Sequence, residues 1–174
     1  MKRSILLATL VAIFMLSPGA DLRASELEQN AADAIVLFQE ADSSLQEFFE
    51  SSYGYAIFPN VGKGGMGLGG AHGKGLVYRN GEIVGRTSLT QFTVGFQFGG
   101  QVYQQVIFFE NEAAFTNFTG GNFELSAQAS AIAAAAGVAA NAKYRYGVAI
   151  FTIGKGGLMY EASVGGQKFS FTPL

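Results

Sequence analysis

The chain has 174 residues, a formal net charge of −2 at pH 7 and no cysteine, and a length of this order suits one domain with its own core. The lack of cysteine excludes disulfides, thiolate metal sites, thiol catalysis and a lipid-anchored cysteine. His72 is the single histidine and no aspartate follows Asp42, which leaves no basis for a Ser-His-Asp triad, an aspartyl dyad or a calcium loop in the later chain.

Lys2 and Arg3 precede the apolar run Ile5 to Leu16, and small residues follow at Ser17, Gly19, Ala20 and Ala24. That order is an export signal, with cleavage expected after Ala24 or after Ala20. The run is too short to span a hydrocarbon core of about 30 Å. Residues 1–24 therefore read as a signal peptide and 25–174 as a single exported domain, periplasmic or secreted and soluble.

From Glu26 to Ser52, Leu27, Ala31, Ala34, Ile35, Phe38, Leu45, Phe48 and Phe49 recur at mostly helical spacing. The spacing predicts two helices broken near Ser43 and Ser44, with Glu47 three residues after Ser44 as in a capping box. Glu26, Glu28, Asp33, Glu40, Asp42, Glu47 and Glu50 give this segment its charge, and no basic residue accompanies them. An interfacial helix usually carries Lys and Arg on its polar face, so the apolar stripe reads as a cover for the core. Beyond Tyr53 the sign reverses: Lys63, Lys74, Arg79, Arg86, Lys143, Arg145, Lys155 and Lys168 outnumber Glu82, Glu110, Glu112, Glu124 and Glu161.

All of the 24 glycines except Gly19 lie between Gly54 and Gly166, mixed with aromatic and β-branched residues, a strand-and-turn composition. The expected class is α+β, mainly β, with about three helices on the surface of a barrel-like antiparallel core. Tyr55 to Phe58 reads as a strand. Leu76 to Arg79, Asn80-Gly81 and Glu82 to Val84 read as a two-residue hairpin. Further strands are expected at 91–98, 102–109, 144–153, 157–164 and 167–172. Asn111 is placed to cap a short helix from Glu112 to Phe118, stopped by Gly120 and Gly121. From Phe123 to Ala131 apolar and polar residues alternate strictly, which predicts a strand over about 122–132 despite the helix-prone alanines.

One pentapeptide recurs: Gly62-Lys63-Gly64-Gly65-Met66 returns as Gly154-Lys155-Gly156-Gly157-Leu158, each time after an aromatic and β-branched run. It reads as a turn in which glycine lets the backbone approach an anion beside a lysine, or as a plain tight turn between strands. A Walker loop needs Ser or Thr after Gly-Lys, and a dinucleotide fingerprint opens a helix within a βαβ unit. Neither is present, so no nucleotide cofactor is expected. The export signal and near-neutral charge also argue against nucleic acid as a partner.

The run Tyr55-Ala56-Ile57-Phe58-Pro59-Asn60-Val61-Gly62-Lys63-Gly64-Gly65-Met66-Gly67-Leu68-Gly69-Gly70, followed by Gly73-Lys74-Gly75-Leu76-Val77, resembles the SYLF domain. Gly95 to Gln101, the small-residue run Glu124 to Gly137 and the final Gly154 to Leu158 agree with it, so the resemblance extends from about Ala32 to Leu174. It implies a β-barrel core with surface helices and a non-enzymatic, lipid-binding role. Eukaryotic members recognise phosphoinositides and bacterial members are exported envelope proteins. The acidic helical segment departs from the basic amphipathic region of the eukaryotic members. Carried onto this chain, the expectation is weak, reversible binding of anionic phospholipid head groups at the glycine loops Gly62, Gly64, Gly65, Gly154, Gly156 and Gly157. Lys63 and Lys155 would supply charge, with Lys74, Arg79 and Arg86 as secondary candidates. The alternative is a structural or interaction module whose partner is an envelope protein. No catalytic residue, metal or cofactor is expected.

Overall fold

The computed structural model describes residues 18–66, 68–94, 100–125, 132–133, 139–154 and 166–174. Helix α1 spans Pro18–Ala41 among the described residues. A break at 42–44 leads into α2 (Leu45–Ser51). The break falls where expected, but the capping box does not form: Ser44 has helical backbone angles and makes no side-chain cap. Its backbone N–H and its hydroxyl both donate to the Asp42 carboxylate. The buried Asp42 also accepts the Ala139 N–H at 2.8 Å, tying the helix break to the short 3-10 turn Ala139–Asn141.

Eight strands follow: β1 (Gly54–Met66), β2 (Leu68–Arg79), β3 (Glu82–Val94), β4 (Gly100–Phe109), β5 (Glu124–Leu125), β6 (Ile132–Ala133), β7 (Val148–Gly154) and β8 (Gln167–Pro173). They form one sheet in the order β5-β8-β3-β2-β1-β4-β7-β6. The six longer strands are antiparallel throughout, and the two-residue β6 runs parallel to β7. The Asn80-Gly81 hairpin is as expected, with φ of 53° and 80°, the left-handed pair that a tight hairpin of matching twist requires. A second such pair, Tyr146 (φ 53°) and Gly147 (φ 77°), turns the chain into β7, so the segment before Val148 is a turn and not the strand expected from Tyr144. Helix α3 (Glu112–Asn117) is capped by Asn111, whose side-chain oxygen accepts the Ala114 N–H at 3.0 Å. It runs into a π turn ending near Gly121 at φ 84°. Of the strand expected over 122–132, Asn122 belongs to the π turn, and Glu124–Leu125 and Ile132–Ala133 form the separate short strands β5 and β6; residues 126–131, those at 95–98 and the strand expected at 157–164 lie outside the described residues.

The sheet bends strongly. Gln105 on β4 donates to Gln167 on β8 at 3.0 Å although three strands stand between them in the ladder. The concave face is filled by Phe58, Leu89, Ile107, Phe109, Val148, Ile150 and Phe169 together with Phe115 and Phe118 from α3 and its turn. The expected barrel is corrected to an open sheet: β5 and β6 stand at opposite edges, and no described residue pairs one edge with the other. Side chains seal the inside instead. Phe118, fully buried, lies 4.8 Å from Phe109 and 5.3 Å from Phe169, ring centre to ring centre, and so fills the space between strands that do not pair.

The convex face is covered by α1 over β1 and β2 through Ala31, Ala34 and Phe38. Phe48 and Phe49 of α2 contact Phe108, Phe151, Tyr55 and Tyr144. The acidic helical segment is thus a cover for the core, and Glu26, Glu28, Asp33, Glu40, Glu47 and Glu50 face solvent.

Candidate functional site

The first copy of the repeated pentapeptide is not a turn. Gly62, Gly64 and Gly65 lie inside β1, paired with His72, Gly70 and Gly69 of β2. The β1–β2 pairing runs on through these glycines as far as Met66 and Leu68. Lys63, paired with Ala71, is only 7% exposed and belongs to the concave side. There it shares the buried polar end of the interior with Gln91, Tyr103, Gln105, Thr152 and Gln167. Gln167 anchors that end, donating to the side-chain oxygens of Gln91, Tyr103 and Gln105 at 3.2 to 3.4 Å. A buried lysine among amides is a packing and hydrogen-bonding element, and it is not presented to an external surface.

Gly154 is the last described residue of β7, and Lys155, Gly156 and Gly157 lie outside the described residues. Gly154 is itself a buried strand residue, not a loop residue. Tyr103 pairs with Val61 on one side and with Gly154 on the other. The second copy of the repeat therefore begins level with the start of the first, at the same end of the sheet and two strands away.

The remaining cations separate into two groups. Arg79 lies at the hairpin end of β2, its guanidinium 4.7 Å from the centre of the Tyr53 ring and donating to the Tyr53 hydroxyl. Lys74 and Arg86 share the convex face: Arg86 pairs with Leu76, whose neighbour two residues on along that face is Lys74. Lys168 of β8 joins them, since it pairs with Thr90 of β3. All three are exposed. Between them lie Ser88, Thr90, Ser170 and Thr172, with the Ser88 and Ser170 hydroxyls 2.6 Å apart, which fixes both strands to one face. Phe92 follows Thr90 on the same side of β3 and is 79% exposed.

Beside this surface a groove of about 450 Å³ opens between α1 and the β1–β2 pair. Arg23, Glu26, Leu27 and Asn30 form the helix wall, and Asn60, His72 and Lys74 the sheet wall, over buried Pro59 and Gly73. Helix residues at i, i+3, i+4 and i+7 share one face, and His72 and Lys74, two apart on β2, share another. The His72 Nδ1 lies 3.5 Å from the Thr90 hydroxyl.

Three tyrosines sit under the helices. Burial pushes Tyr55 up to about 12, helped by Tyr78, with which it stacks at 4.8 Å. Burial also pushes Tyr144 up to about 12, with Glu110 and Glu47 adding to the effect, and its hydroxyl has no hydrogen-bond partner. Tyr78 is raised by burial and by Glu28. No group of three or more metal-ligating side chains occurs among the described residues, and no described helix is long and apolar enough to cross a membrane.

Sequence reasoning found Lys74 and Arg86 without their shared face, and missed Lys168, Phe92 and the groove. Lys168 alternates with Phe169 and Phe171 along β8, which signals a solvent-facing lysine; the pairing of β8 with β3 carries no local signal.

Residues 90–172, which include β4, α3, β7 and all but the end of β8, match the family model Ysc84, described as Las17-binding protein actin regulator. The chain is also similar to Beta cell expansion factor A of Aeromonas veronii, 33% identical over 159 residues. That alignment covers 89% of this chain and 60% of the relative, so the chain spans about three fifths of the length of the curated relative it matches. On the model match and this relative together, residues 90–172 match the Ysc84, or SYLF, family.

Proposed function

We propose that this is a non-enzymatic domain that binds anionic phospholipid surfaces reversibly through the convex face of β2, β3 and β8. The observation that carries the reading is the shared face of Lys74, Arg86 and Lys168, spaced by hydroxyl side chains and bordered by the exposed Phe92. Basic side chains near an anionic membrane contribute about 1 kcal/mol each, and an exposed aromatic ring adds apolar contact at the head-group level. Lys74 and Arg86, with Lys168 standing opposite Glu124 of β5, give weak, salt-sensitive attachment, as the family resemblance implies. The site differs from the glycine loops first expected, because Lys63 faces inward. The proposal includes export, with the mature chain beginning after Ala20 or Ala24, which N-terminal sequencing of the protein from envelope fractions tests.

Cosedimentation with anionic and neutral vesicles tests the binding. The wild type is expected to prefer anionic vesicles and to release in moderate salt. Lys74→Ala, Arg86→Ala and Lys168→Ala together should weaken binding on the order of a hundredfold, while Lys63→Ala should not act through charge at the surface. Equal binding to neutral vesicles, or a triple variant that binds as the wild type does, sinks the reading. The family model's description names protein binding, so the second reading is an envelope protein partner on the same face. Partner capture from envelope extract without any vesicle binding favours it.

A further inference from the structure

The groove beside the cationic face differs from it in one respect: it carries a carboxylate. Glu26 on the helix wall faces the same space as Lys74 and His72 on the sheet wall and Arg23 on its own wall, with the Asn30 and Asn60 amides alongside. No ion pair joins Glu26 to Arg23 or Lys74 among the described residues. Two charge signs held apart across a groove favour a ligand that carries both. A simple anion gains from the cations and is repelled by Glu26, and a simple cation meets the reverse. The sign of each group therefore decides which end of a ligand it holds. The volume of about 450 Å³ lies within the range usual for small-molecule sites, and Leu27 and Pro59 give it an apolar side.

We infer that this groove is a binding site for a zwitterionic phosphate ester of the phosphoethanolamine type, its phosphate toward Lys74, His72 and Arg23 and its ammonium toward Glu26. The ester is either a free small molecule or the head group of a lipid. Export with cleavage after Ala20 retains Arg23, cleavage after Ala24 removes it, and the other residues of the groove stay in both cases. The inference goes beyond the surface reading; it shares Lys74 with it, but Arg86, Lys168 and Phe92 are not part of the groove, and Glu26, His72 and Asn30 are not part of the surface.

Titration of the purified protein with soluble phosphoethanolamine, inorganic phosphate and ethanolamine, followed by amide chemical shifts, tests it. Phosphoethanolamine is expected to bind in the millimolar range and tighter than either fragment, shifting residues around His72 and Asn30. Glu26→Gln separates this site from a plain anion site: it should weaken phosphoethanolamine about tenfold and strengthen inorganic phosphate, whereas Lys74→Ala should weaken both. If Glu26→Gln strengthens both ligands alike, or if phosphoethanolamine causes no shifts at the groove at millimolar concentration, the inference is wrong. Neutral vesicles with and without phosphatidylethanolamine then distinguish the sources: binding gained with that lipid and lost in Glu26→Gln assigns the lipid head group, and no gain assigns the free ester. Arg86→Ala with Lys168→Ala, which leaves the groove intact, tests the surface reading separately on anionic vesicles.

Discussion

Replacing Gly75 by alanine tests whether the bend of the sheet depends on a backbone approach that only glycine allows. Gly75 lies on β2 beside the bulge in β1, where the pairing register shifts between Ile57 and Asn60. A Cβ at this position would stand 2.4 Å from the Ile57 carbonyl oxygen and 2.8 Å from Cδ1 of Phe58. Carbon and carbonyl oxygen normally approach to about 3.3 Å, so β1 must withdraw by on the order of 1 Å. Phe58 is fully buried and cannot turn aside, and the carbonyl belongs to a paired strand. Overpacking of this kind costs about 1–3 kcal/mol, and the stiffer unfolded chain of the alanine variant offsets about 0.4–1 kcal/mol of it. A net loss of about 1–2 kcal/mol is expected, which lowers Tm by about 3–6 °C in a domain of this size. The control is Gly62→Ala in the same glycine-rich pair of strands, where the nearest atom is 4.0 Å away and the change should stay within about 0.5 kcal/mol. Urea and thermal unfolding followed by circular dichroism give both numbers. Equal stability of the two variants would refute the claim that the close approach at Gly75 shapes the sheet.

Two further outcomes follow from the turn before β7 and from the buried phenols. Tyr146 is 76% exposed yet holds a left-handed backbone conformation at φ 53°, which costs a non-glycine residue about 1–2 kcal/mol; Tyr146→Asn should therefore raise stability by about 0.5–1 kcal/mol, and a lower denaturation midpoint would contradict this. Tyr55 and Tyr144 are held near 12 in the folded protein against 10.0 in the unfolded chain. Raised acids of this kind contribute stability that is complete below pH 10 and is lost as pH climbs toward 12. Urea midpoints should fall through that window, and Tyr144→Phe should flatten the fall while leaving neutral-pH stability unchanged or slightly higher, because its hydroxyl has no partner to lose. A midpoint independent of pH up to 12 overturns the assignment.

The features legible in the sequence were those fixed by neighbours in the chain. Asn80-Gly81 dictated its hairpin, Asn111 its helix cap, and the spacing of Leu27, Ala31, Ala34 and Phe38 the covered face of α1. Ser44 misled because its hydroxyl had a competing acceptor in Asp42, itself engaged by Ala139, 97 positions away. Lys63 misled for a related reason. Between glycines it looked like a turn, but those glycines are strand residues that pair with His72 and Gly70 of β2. Its burial depends on Tyr103, Gln105 and Gln167 arriving from β4 and β8. The candidate face has the same character, because the register of β2, β3 and β8 assembles it and no single segment contains it.

Helices α1 and α2 place their carboxylates over β1, β2, β4 and β7, while Arg86 and Lys168 occupy the β3–β8 end of the strand order. Among the described residues, the exposed helix carboxylates and the exposed Arg86 therefore stand at different parts of the bent sheet, while Lys168 is opposite Glu124 of β5. Near a negatively charged boundary, within the Debye length of about 8–10 Å, an acidic helix cover of this kind favours approach with the helices turned outward. A chain with a formal charge of −2 can in this way approach a surface of its own sign, in one orientation.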